Sequence, residues 1–91
     1  MATSVWGGDP PPNAIFQLGF LEWATKEPTL IGQPHDVAEF GVVPGISQQR
    51  STRGLLTWAN LKVGAVTTFL DATNGKRYVW NGIRSNEVKV R

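Results

Sequence analysis

Ala65-Val66-Thr67-Thr68-Phe69-Leu70-Asp71-Ala72-Thr73-Asn74-Gly75-Lys76-Arg77-Tyr78-Val79-Trp80 decides the fold class of this 91-residue chain. Residues 65–70 and 77–80 are rich in β-branched and aromatic side chains, and Asn74-Gly75 between them supplies the positive φ of a tight turn. The segment therefore predicts an antiparallel hairpin.

Two registers fit it. A two-residue loop at Asn74-Gly75 pairs Thr73 with Lys76 and Phe69 with Trp80, which puts Phe69, Tyr78 and Trp80 on one face and Val66, Leu70 and Val79 on the other. A turn over residues 72–75 with a glycine bulge instead pairs Asp71 with Arg77 and Phe69 with Val79, and moves Tyr78 and Trp80 to the side of Val66 and Leu70. In the first register an aromatic face beside Lys76 is free to stack bases. In the second the aromatics are core, and we prefer it because a thin domain needs its large side chains inside.

Working outward, Asn81-Gly82 marks another turn, and Glu87-Val88-Lys89-Val90-Arg91 alternates as a half-exposed terminal strand. Upstream, Leu55 to Leu61 is apolar on both parities and reads as a buried strand or a two-turn helix. Residues 47–53 are polar and follow Pro44-Gly45, the centre of an expected type II turn, so they read as an exposed loop. Residues 14–24 fit either a strand or a short helix, with Gly19 and the aromatic content favouring strand.

Three consecutive prolines, Pro10, Pro11 and Pro12, hold the chain near polyproline II and exclude helix or central strand. Residues 1–13 are thus expected as an extended arm, in which Trp6 either folds back on its own domain or anchors on a neighbour. The fold class expected is mainly β: a small antiparallel sheet or incomplete barrel over 14–91, with the proline-rich arm and at most one or two short helices.

Charge is unevenly distributed along the chain. Up to Gln49 a single Lys26 faces Asp9, Glu22, Glu27, Asp36 and Glu39, whereas beyond it eight Lys and Arg face Asp71 and Glu87. The asymmetry points to an anionic ligand for the basic half, or to a subunit whose acidic part meets a neighbour's basic part. There are no cysteines, which excludes disulfides and thiolate chemistry. The first residues lack the basic and apolar regions of a signal peptide, and no apolar run approaches the roughly 20 residues that span a bilayer.

Candidate chemistry is sparse. His35-Asp36 with Glu39 falls short of the three or four convergent ligands of a metal site, so Asp36 is assigned to the turn after Pro34 and His35 to a surface loop. Glu22 and Glu27 read as solvated charges. No phosphate-binding loop or serine triad can be assembled, and no cofactor or enzymatic activity is expected.

Val5-Trp6-Gly7-Gly8-Asp9-Pro10-Pro11-Pro12 as an arm and Thr68 to Gly82 as a hairpin resemble, in general style, the small virion proteins of tailed bacteriophages: capsid decoration or cement proteins and small tail or connector components. The resemblance implies a non-enzymatic structural protein of the virion, homo-oligomeric or lattice-bound, with a major capsid or tail protein as partner. Val5, Trp6, Pro10, Pro11 and Pro12 are its expected arm contacts. The alternative is a small barrel binding single-stranded nucleic acid, and Phe69, Lys76, Arg77, Tyr78, Trp80 and Arg84 form the hairpin surface expected to serve either kind of partner. A third reading, a carbohydrate module, rests only on the four tryptophans.

Overall fold

The computed structural model describes residues 4–89. Two short helices, α1 (Leu18–Lys26) and α2 (Pro28–Ile31), precede six strands: β1 (Phe40–Val43), β2 (Ile46–Arg50), β3 (Gly54–Leu61), β4 (Gly64–Asp71), β5 (Lys76–Trp80) and β6 (Ser85–Val88). The strands form one open antiparallel sheet, as the β-rich reading expects, and they lie in it in sequence order. Among the described residues no helix is long and apolar enough to cross a membrane. Val90 and Arg91, read above as the end of a strand, and Met1 to Thr3 of the expected arm lie outside the described residues.

The hairpin forms, in neither expected register. Asp71 pairs with Lys76, Phe69 with Tyr78 and Thr67 with Trp80, so four residues, 72–75, make the loop. The Asp71 side chain explains the length. Its Oδ1 accepts the Thr73 amide at 2.9 Å, its carbonyl accepts the Gly75 amide at 2.7 Å, and Gly75 takes φ +75 to close the turn. Phe69, Tyr78 and Trp80 therefore share a face, and that face is the core.

Residues 18–26 are helix, not the strand that was favoured. Phe20, Trp23 and Ala24 recur at helical spacing and bury one stripe, while Leu18 and Leu21 stay exposed. Gly19 lies in the first turn, where it weakens the helix little. The helix ends where Pro28 forces Glu27 out of helical geometry, and the same proline then opens α2.

Residues 46–50 are likewise strand β2 rather than loop, and Gln49, Ser51 and Thr52 are buried. Glutamine is tolerated inside because Nε2 donates to the Ile15 carbonyl at 2.7 Å and to the Asp36 carbonyl at 3.1 Å. One side chain thus ties the chain before α1 and the chain before β1 to the sheet. At the β1–β2 turn Gly45 takes φ +84, the conformation a type II turn over Pro44-Gly45 requires.

All the buried strand residues, Gln49, Gly54, Leu56, Phe69 and Asp71, point to the same side. There α1 and α2 pack Phe20, Trp23, Ala24 and Ile31 onto Leu56 and Phe69, with Trp58, Tyr78 and Trp80 at the margin. The molecule is one sheet with helices on one side. Replacing Gln49 with alanine removes the bonds to both carbonyls and empties a fully buried side-chain volume, and should lower unfolding free energy in urea by about 2 kcal/mol.

Candidate interaction surface

The structure divides the eleven residues singled out by sequence into a buried group, a tethered group and an exposed group. Phe69 is fully buried. Trp23 meets it edge-on at 6.1 Å between ring centroids and stacks on Trp80 at 5.4 Å, with Tyr78 packed against the same cluster. The aromatic face of the hairpin is covered by α1. Trp80 donates its indole N–H to Glu22 Oε1 at 3.2 Å, so Glu22 is not simply solvated. Glu27 accepts both the amide and the hydroxyl of Ser85, and Ser85 Oγ accepts the Trp23 indole N–H at 2.7 Å.

No projecting arm is seen at Val5 and Trp6. The Val5 amide donates to the Thr52 carbonyl at 2.9 Å, and Trp6 Nε1 is shared between the carbonyls of Ser51 and Gly54. A buried-end indole N–H needs an acceptor, and the β2–β3 turn offers two. Trp6 thus folds back, yet it stays 42% exposed and lies at the edge of the domain rather than in its core. Pro10, Pro11 and Pro12 follow in irregular, mostly accessible chain.

Arg50 lies over the Trp6 ring at 5.4 Å and grips Asp36, with Nη2 at 2.6 Å and Nε at 3.0 Å from Oδ1, while its own amide donates to Oδ2 at 2.8 Å. Burial by itself would raise the Asp36 pKa, but the side-chain and backbone hydrogen bonds from Arg50, with its charge, outweigh it and hold the carboxyl below 3.8. His35, expected on the surface, is 9% exposed and donates its amide to the Arg50 carbonyl. Asp36 is committed to this clamp. Among the described residues no group of three or more His, Asp and Glu is placed to hold a metal ion.

Lys76, Arg77 and Arg84 are exposed. Lys76 pairs with Glu87 at 3.7 Å, and Arg84 lies in the β5–β6 turn with its amide on Asn81 Oδ1. Arg77 stands on the other side of the sheet from the aromatics, between Leu70 and Val88. There it borders an open groove of about 420 Å³, lined also by Leu55, Thr57 and Thr68.

That groove belongs to the helix-free side of the sheet, which sequence reasoning did not single out. No residue on it is buried, although it carries Ile46, Leu55, Ala59, Val66, Leu70 and Val79. The signal for it was available. Leu55-Leu56 and Phe69-Leu70 place apolar groups on consecutive residues, the pattern of strands covered on both faces.

The clamp has a pH signature. A depressed carboxyl pKa contributes stability that is present above the unfolded value and lost as pH falls through the folded one. The stability difference between the native chain and Asp36→Asn in urea should be full at pH 6 and shrink progressively below 3.8.

No family model matches this chain, and comparison with curated proteins and with solved structures likewise gives no match.

Proposed function

We propose that this chain is a non-enzymatic structural subunit, a virion component of the decoration, cement, tail or connector kind, which binds a lattice or copies of itself. The observation that carries the reading is the one-sided layering of the sheet. Six strands are paired and padded by α1 and α2, yet the opposite face leaves Ile46, Leu55, Val66, Leu70 and Val79 only half-buried. An antiparallel sheet with one wet face ordinarily alternates apolar-in with polar-out. Contiguous accessible apolar surface marks contact with another macromolecule.

The chemistry of the helix-free face favours protein over nucleic acid. Stacking of bases requires accessible rings, and Phe69, Tyr78 and Trp80 are committed to the layer under α1. Arg77 is the cation lining the groove, among aliphatic, hydroxyl and amide groups, and Arg50 in the same row is held by Asp36, which suits the rim of a protein interface better than a phosphate track.

Sedimentation velocity from micromolar to several hundred micromolar protein tests the reading, together with anisotropy of a labelled single-stranded 20-mer at low salt. Self-association without oligonucleotide binding is expected. A protein that stays monomeric and binds the oligonucleotide with a steep salt dependence overturns it.

A further inference from the structure

We infer that the helix-free face of the sheet is the contact between two copies of this chain, packed face to face as a sandwich about a twofold axis. The inference rests on the assembly reading above and adds to it the surface and the partner.

Four rows of side chains cross the face, the last of them only Leu61 opposite Gly64 at the β3–β4 turn. The row at the hairpin-loop end runs Arg50, Leu55, Leu70, Arg77 and Val88; the second row has Thr57 and Thr68 at its centre; the third has Ala59 and Val66 at its centre. A twofold axis running across the strands at the level of Thr57 and Thr68 reverses the order of rows. Leu55 and Leu70 of one copy then face Ala59 and Val66 of the other, large against small, as facing sheets about 10 Å apart require. Threonine hydroxyls meet in the middle.

Charge permits this arrangement. Arg50 is neutralised by Asp36, so Arg77 is the cation on the face without an ion pair among the described residues. The axis sets the two Arg77 side chains apart by about four residues along the strand, or roughly 13 Å, beyond the screening length at physiological salt. Both remain at the rim, in water.

Size also fits. Six strands at about 4.8 Å and a mean length near 20 Å give a flat footprint of about 600 Å² per copy, and side-chain relief raises the accessible area toward the roughly 800 Å² per partner of a stable interface. The shortest dimension of the protomer, 22 Å, leaves room for only one sheet and one helical layer. A second sheet supplies the missing layer. The apolar pattern of β3 and β4 on both faces is what a strand buried in such a sandwich carries.

The chain has no cysteine, so single-cysteine variants report one position each. Thr68→Cys, at the centre of the face, and Leu21→Cys, on the exposed side of α1, are treated with a bismaleimide of about 10 Å span, matched to the sheet spacing. In parallel the native chain, Ala59→Arg and Val66→Lys are sedimented, with melting curves to establish that each variant folds. The expected result is a native dimer at tens of micromolar, at least five-fold more covalent dimer from Thr68→Cys than from Leu21→Cys, and a monomer from whichever of Ala59→Arg and Val66→Lys still unfolds in one cooperative transition, at a lower temperature than the native dimer. An assembled protein in which Thr68→Cys links no better than Leu21→Cys overturns the assignment of the face while leaving the assembly reading standing. A native chain monomeric at several hundred micromolar overturns the dimer itself.

Discussion

The packing of Trp23 is the interaction on which the rest of the structure depends. Its ring is fully buried, stacked on Trp80 and edge-on to Phe69, and its indole N–H is satisfied by Ser85, which is itself held by Glu27 just past the C-terminal end of α1. Burial of a side chain of this size contributes roughly 2–3 kcal/mol, and the edge and stacking geometry adds about 1 kcal/mol. More important is what it joins. Nine residues of helix are too few to persist in water, so α1 exists because Trp23 and Phe20 have β3, β4 and β5 to lie on. Reciprocally, β5 and β6 have their inner side covered only where α1 reaches, through Trp80, Ser85 and the Lys26 bond to the Gly82 carbonyl.

This mutual dependence decides which parts of the fold were legible in the sequence. The hairpin was, because Asn74-Gly75 and the β-branched runs on either side act locally. Its register was not, because the loop length is set by Asp71, whose carboxylate sits in contact with Arg53 from a different turn. Residues 18–26 carry Phe20, Trp23 and Ala24 at helical spacing, but aromatic content and Gly19 spoke for strand, and only the sheet beneath favours the helix. Residues 46–50 have the composition of a loop. They form a central strand because Gln49 finds two backbone acceptors from distant segments, which no local rule anticipates.

Charge along the chain misled in an instructive way. The acidic first half and basic second half suggested a surface polarity, yet folding brings the two together within one molecule. Asp36 takes Arg50, Glu27 takes Ser85 and Glu22 takes Trp80, each from the second half. Three of five acidic-half carboxylates are thereby used in closing the fold. The segment with Val5 and Trp6 follows the same logic: an apolar group expected to reach a neighbour finds acceptors on its own β2–β3 turn instead. What sequence presents as potential for association, proximity within the chain consumes first.

The helix-free face escapes that consumption, and for a geometrical reason. Among the described residues there are two short helices, and both enter before β1 and pack on the same side, so no segment between Phe40 and Val88 is left to cross to the other. A meander whose connections are two to four residues long cannot send an element across its own sheet. Stability therefore places no demand on Leu55, Val66 or Leu70 beyond strand propensity, which Thr would satisfy equally well at lower cost in exposed apolar area. Their aliphatic character is a property the isolated fold does not need. On the proposal made above, a second copy packed on this face gives that aliphatic character its use.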